Sequence, residues 1–192
     1  MGFNGQNINN TGKAGFIDVE TTGLSNTDEI IELAITLFQF DRKNGKILQI
    51  LDEYVGLREP GVSIKPGARK VHGLTRRDLK GKRLNREQIK RLIKEADFLI
   101  AHNASFDRRF VIKMFPEARQ KEWRCSMSDI SWKAKGFQSR GLQNLLYDHN
   151  LTADQAHRAL DDVHAALRLL ATRNRSGNYN TYFQELLEQG TG

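Results

Sequence analysis

Cysteine is almost absent from these 192 residues, with Cys125 standing alone. An internal disulfide and a thiolate metal cluster are therefore excluded, and a reducing, cytoplasmic setting is the expectation. Proline is scarce too, at 3 residues, and no stretch approaches the roughly 20 apolar residues that a spanning helix requires. A soluble chain with no membrane partner is expected. The opening MGFNGQNINNTGK has neither a basic start nor an apolar centre, so it does not read as a secretory signal, and residues 1–13 are predicted to be a flexible polar arm. At 39% hydrophobic the chain can bury one real core, so residues 14–192 are expected to form a single domain. No internal repeat is found.

Acidic residues are missing from one region in particular. Between Gly61 and Lys94 there are 12 basic residues against only Asp78 and Glu87, whereas residues 1–60 hold 5 basic and 9 acidic ones. A solvated helix face accounts for any one of those cations. Taken together, a basic segment beside an acidic one suits a polyanion whose backbone lies on Lys and Arg while its reacting phosphate meets metal-bound carboxylates.

Hydrophobic periodicity places the elements. Residues 14–20 read as a buried strand, IIELAITLFQF (30–40) as a second and KILQILDEYV (46–55) as a third, with DRKNG supplying an Asn-Gly hairpin turn. A Gly- and Pro-punctuated loop follows from Pro60 to Pro66. LNREQIKRLIKEA places Leu84, Ile89, Leu92 and Ile93 at helical spacing, and DFLIA (97–101) is a fourth strand. Helices are expected over FDRRFVIKMF stopped by Pro116, around Met127 to Ala134, over GLQNLLYDHN and RALDDVHAALRLLATR, and in a short tail after NRSGN; one more short strand is possible near Arg124. The pattern is α/β.

Three constellations carry chemistry. In GFIDVETTGL, Asp18 and Glu20 lie two apart in a strand and so share one face, where two neighbouring anions need a cation. In AHNASFDRRF, Asn103 or Ser105 could cap the next helix and leave Asp107 in its first turn. There an acid can simply complement the helix dipole, but the strand end just before it is where ligands of open α/β sheets gather. In AHRALDDVHAAL, Leu160, Val163, Leu167 and Leu170 form a buried stripe with Asp162 beside it. His157 precedes Asp162 by five residues, so both reach one site only if His157 lies on the incoming loop or the very first turn. The competing pattern is a helical metal face from His157, Asp161 and His164, which leaves Asp18 and Glu20 unexplained.

Together FIDVETTGL, HNASFD and HRALDD, with VHGLT (71–75) as a fourth short signature, resemble the motifs of the DEDDh, DnaQ-like 3′-to-5′ exonucleases. The resemblance runs from about Ala14 to Arg173. It implies a ribonuclease H-like fold, a mixed five-stranded sheet flanked by helices, with the acidic site near its middle. It also implies that Asp18, Glu20, Asp107 and Asp162 are the metal ligands and His157 the general base, with Asp161 turned away. Thr21, Thr22 and Leu24 would match the segment holding the terminal nucleotide, Asn103 and Phe106 the positions flanking its base, and His72 a substrate-side contact. One departure stands out: after HGLT many relatives carry acidic residues, but here RRDLKGKRLNR follows.

The residue types suit that chemistry. Phosphodiester cleavage needs a nucleophilic hydroxide near neutral pH and compensation for charge on the leaving oxygen, which two hard cations about 4 Å apart can provide. Two Mg²⁺ are the expected cofactors, with Mn²⁺ able to substitute. Gly23 is expected to let the backbone turn close to the substrate. The leading expectation is a free-standing exonuclease on single-stranded 3′ ends, DNA favoured over RNA because TTGL leans toward the proofreading and DNA-trimming branch. The alternatives are a proofreading subunit that docks to a polymerase through the tail helix YFQELLEQ, an exoribonuclease trimming RNA 3′ ends, and an inactive nucleic-acid-binding module.

Overall fold

The structure, a computed structural model, describes residues 10–154, 156–175 and 177–189. Strands β1 (Thr11–Thr21), β2 (Ile30–Asp41) and β3 (Ile47–Leu57) form the antiparallel meander that the alternating runs predict. β4 (Phe98–Ala101) joins β1 in parallel and β5 (Glu122–Cys125) joins β4, giving a mixed sheet in the order β3-β2-β1-β4-β5. The strand suspected near Arg124 is β5. β1 therefore lies at the centre, and its odd and even residues face two different cores.

Ala14 and Phe16 point into one core, together with Phe38, Phe40 and helices α5 (Leu142–Asp148), α6 (Ala159–Ala171) and α7 (Tyr182–Gln189). Ile17 and Val19 point into the other, against α3 (Arg86–Glu95) and α4 (Ala104–Met114). Leu84, Ile89, Leu92 and Ile93 are all buried there, as their spacing predicts. Two elements lie where the sequence pattern assigns none beyond the loop to Pro66: α1 (Pro66–His72), which has Pro at its start and a left-handed Gly73 after its end, and α2 (Arg76–Leu79), opened by a Thr75–Asp78 capping box. Among the described residues no helix is long and apolar enough to cross a membrane.

Several expectations are corrected. Of the arm expected over 1–13, residues 1–9 lie outside the described residues, and Thr11 to Lys13 already belong to β1, where Lys13 and Gln39 are cross-strand partners. The helix expected around 127–134 is instead a series of turns with a short 3-10 segment at Lys133–Lys135. Polar side chains there compete with the helix ladder: Asp129 Oδ2 accepts from the Cys125 amide at 2.7 Å, and the Trp132 indole donates to the Ser126 carbonyl at 2.7 Å. In the β2–β3 turn only Gly45 of the Asn-Gly pair is left-handed, with Asp41 Oδ1 accepting from Lys43 and Asn44.

The tail helix is not a free docking element. Tyr182, Phe183 and Leu186 are buried, with the Phe183 ring 5.4 Å from Phe38 and 5.2 Å from Phe40. Its buried Glu185 pairs with Lys135 at 2.7 Å, and Arg124 donates to the Leu186 and Leu187 carbonyls. The apolar face of α7 is spent on the core.

Candidate active site

The acids gather at the carboxyl end of β1, in a cleft of about 1100 Å³. Asp18 and Glu20 project from the same face of β1 as Ala14 and Phe16, just beyond where those residues meet the helical core. Asp107 sits in the first turn of α4 and is buried, with its Oδ1 accepting from the Val19 amide at 3.2 Å. Asn103 is the N-cap residue of α4 but its side chain makes no cap bond. Its Oδ1 instead accepts from the Ser105 hydroxyl at 3.2 Å, and the residue lines the cleft.

Asp162 comes from the first turn of α6 and is fixed through both oxygens: Oδ1 accepts from Gln143 Nε2 at 2.9 Å and Oδ2 from the His157 amide at 3.0 Å. His157 lies on the incoming loop, two residues before the helix, as its five-residue spacing from Asp162 requires. Asp161 does not line the cleft, and His164 Nε2 is bonded to Glu53 at 2.8 Å. The helical metal face is thereby ruled out as a unit. The group that forms instead is Glu20, His157 and Asp162, whose ligand atoms all lie within 4.8 Å of one another.

The remaining site residues divide. Thr21, Leu24, His72, Asn103 and Phe106 line the cleft, but Thr22 does not. Thr22 is fully buried, with its hydroxyl donating to Asp28 Oδ1 at 3.0 Å and accepting from the Glu29 amide at 3.0 Å. It shapes the turn. Gly23 has no left-handed φ. It is needed because a Cβ would come within 2.7 Å of Asp28 Oδ2 and 2.5 Å of Lys65 Cδ. Leu24 is 75% exposed at the rim, its carbonyl held by Arg109 at 2.6 Å, and Arg109 also covers the Phe106 ring at 5.0 Å. His72 Nδ1 accepts from the Leu74 amide at 3.0 Å, and Nε2 has no hydrogen-bond partner among the described residues.

Sequence reasoning missed Gln143, Lys65 and His102, which also line the cleft, and Glu32 beside it. No local pattern marks Gln143, since the carboxylate it holds lies 19 residues away. A signal for Lys65 existed in its place at the start of the basic segment.

Electrostatics define what the cluster lacks. Burial, followed by the charges of Asp107, Glu20 and Asp162, pushes Asp18 well above the usual carboxylate range. Burial and then Asp162 lift Glu20 to about 8, burial lifts Asp107 to about 7 against the Val19 amide, and burial raises Asp162. Among the described residues no Lys or Arg pairs with any of the four. Crowded carboxylate oxygens with no cationic partner are the donor set that hard divalent cations take, so the residues fit such a metal.

Sheet order, the placement of acids at the end of the central strand, and their unmet charge define a class: a ribonuclease H-like domain built for phosphodiester chemistry. A family model described as exonuclease, RNase_T, matches residues 16–170. The chain belongs to that family of exonucleases, in the DEDDh, DnaQ-like group.

Among curated proteins it is 33% identical over 166 residues to DNA polymerase III subunit epsilon of Treponema pallidum, covering 81% of this chain and 73% of that one. It is 32% identical over 160 residues to the PolC-type DNA polymerase III of Thermotoga maritima, covering 79% of this chain but only 11% of that protein. The chain thus spans about a tenth of the PolC-type polymerases it matches. Among solved structures, exonuclease X in complex with 5′ overhanging duplex DNA matches at TM-score 0.64 and 27% identity, over 92% of this chain and 99% of that one. Exonuclease I of E. coli in complex with a dT13 oligonucleotide shares the fold at TM-score 0.66 and 18% identity, over 84% of this chain and 41% of that one.

Proposed function

We propose that this domain releases nucleoside monophosphates from single-stranded 3′ ends, DNA in preference to RNA, with Asp18, Glu20, Asp107 and Asp162 holding two Mg²⁺ and His157 as general base. The observation that carries this reading is the meeting of four uncompensated carboxylates with a loop histidine in one cleft. Divalent cations bound there would acidify the attacking water and offset charge on the leaving oxygen. His157 would take the proton of the attacking water, and a base so placed contributes about 10² to 10⁴ in rate. Asp107 and Asp162 are held for their task by the Val19 amide and by Gln143.

Substrate handling follows from the rim. Exposed Leu24 and Val71, with Phe106 behind them, offer apolar faces on which a terminal base stacks. Exposed Arg69, Lys70, Arg76, Arg77, Lys80, Lys82 and Arg83 lie on α1 and in the segment after it, a basic stretch that suits a strand backbone. His72 also lines the cleft, with its Nε2 buried. The test is a gel time course with 5′-labelled single-stranded DNA and matching RNA in Mg²⁺, Mn²⁺ and EDTA. A metal-dependent ladder shortening from the 3′ end, faster on DNA, is expected; no ladder on either strand overturns the reading, and a faster RNA ladder overturns the sugar preference.

A second reading, proofreading beside a polymerase, draws on the relatives named as polymerase III components. The contact would have to lie elsewhere than α7, whose apolar face is buried. Co-elution with a polymerase subunit, unaffected by substitutions on the exposed side of α7, is the expected result.

A further inference from the structure

His157 is left-handed, with φ 63°, a conformation uncommon outside glycine, although histidine, like Asn and Asp, adopts it more readily than most residues. Two contacts hold it. On one side its amide donates to Asp162. On the other the next residue, Arg158, turns its guanidinium onto Glu32 of β2: Nη2 lies 2.6 Å from Oε1, and Nε lies 3.2 Å from Oε1 and 3.1 Å from Oε2. Glu32 Oε2 also accepts from the amide of Ala159, the first residue of α6, at 3.1 Å.

Glu32 is 1% exposed and lies directly across the ladder from Glu20. A fifth buried carboxylate beside the acidic cluster adds to the repulsion that raises Glu20. Its oxygens, however, face Arg158 and the helix start, and it belongs to no metal-capable group among the described residues. A charged group buried at that disadvantage fixes geometry. The bidentate fork sets the direction in which the chain enters α6, and so where the imidazole one residue earlier must point.

We infer that Glu32 and Arg158 form a positioning clamp that holds His157 over the cleft. The inference rests on the reading of His157 as general base. Arg158 bonds to none of the four acids, although its charge also favours ionised Glu20 through space; its link to His157 is the backbone.

The test compares wild type with Arg158→Lys, Arg158→Ala, the paired Glu32→Met/Arg158→Met, His157→Ala, and Arg158→Ala combined with His157→Ala. The paired variant removes both charges together, so no lone buried carboxylate is left to unfold the protein. Hydrogen exchange of the His157 and Ala159 amides is measured on metal-free protein, and kcat and KM on a 3′-labelled strand with Mg²⁺. The clamp predicts that both amides exchange at least about tenfold faster in the paired variant. It also predicts that kcat falls about ten- to a hundredfold with KM held within about twofold, as small displacements of a reacting group cause. Loss of Arg158 should cost nothing further once His157 is gone.

Arg158→Lys keeps the charge but loses the fork, and should remain slow; full activity in Arg158→Lys, unchanged exchange at both amides, or additive losses would each overturn the clamp. If wild type leaves 3′ ends untouched, the hydrolysis reading falls, and the amide exchange still decides for or against the clamp.

Discussion

Asp18 and Asp28 stand on the two sides of one turn, and the protein treats them in opposite ways. Asp28 is 3% exposed yet surrounded by donors: Lys65 Nζ at 2.6 Å, the Ser25 amide and hydroxyl each at 2.7 Å, and Thr22 Oγ1 at 3.0 Å. Burial opposes its charge, but the bonds from Lys65, Ser25 and Thr22 together hold its carboxyl far below the usual range. Asp18 is pushed the other way by burial and by its anionic neighbours. One carboxylate is satisfied by the fold. The other is left for something the fold does not supply, which is how a binding site differs from a structural one.

Asp18→Ala breaks the comparison most severely. Loss of a ligand that supports several kcal/mol of charge stabilisation should cut turnover about a thousandfold or more, while the metal-free variant melts at or above the wild-type temperature because repulsion is relieved. Substantial activity in Asp18→Ala would remove the acids from catalysis. Next in size is His157→Ala, expected to slow cleavage about a hundredfold or more with little change in KM, read from initial rates across neutral pH. A rate and pH profile equal to wild type would strip His157 of its role.

Asp28→Ala sharpens the other side: it should lower the unfolding free energy by about 3 kcal/mol in urea, with cleavage chemistry slowed only through the mispositioned turn. A further prediction concerns pH. Carboxyls raised in the folded state bind protons that the unfolded chain has released, so the metal-free protein should lose stability as pH rises from about 4, where unfolded carboxyls titrate, to about 8. Saturating Mg²⁺ should flatten that slope. A stability that climbs over the same window would mean that these groups are already compensated.

The same contrast explains what could be read in advance. FIDVETTGL, HNASFD and HRALDD were legible because strand alternation, a helix's first turn and the position of a loop before a helix are local geometry. Thr22 does not reach the cleft because its hydroxyl is taken by Asp28 and the Glu29 amide, partners six and seven residues on that the motif does not mark. The tail helix was misread for a related reason. Its apolar face looked unclaimed until Phe38 and Phe40 of β2 were seen to cover it. Around 127–134, Asp129 outweighs helical spacing by accepting from the Cys125 amide, while Ser128 donates to the same carboxylate.

By itself the sequence determined the first four strands and their buried faces, the α/β class and the lopsided charge, since each follows from side-chain chemistry at fixed local spacing, while the set of four acids and a histidine followed from the resemblance of its motifs to a family. Tertiary structure alone decided which donors reach which acids. Gln143 meets Asp162, Val19 meets Asp107, and Arg158 meets Glu32 across 126 residues of chain. Those contacts depend on how β2, α4, α5 and α6 pack around β1, and no local period encodes the distance between surfaces that meet only once the cores on both faces of the sheet have closed.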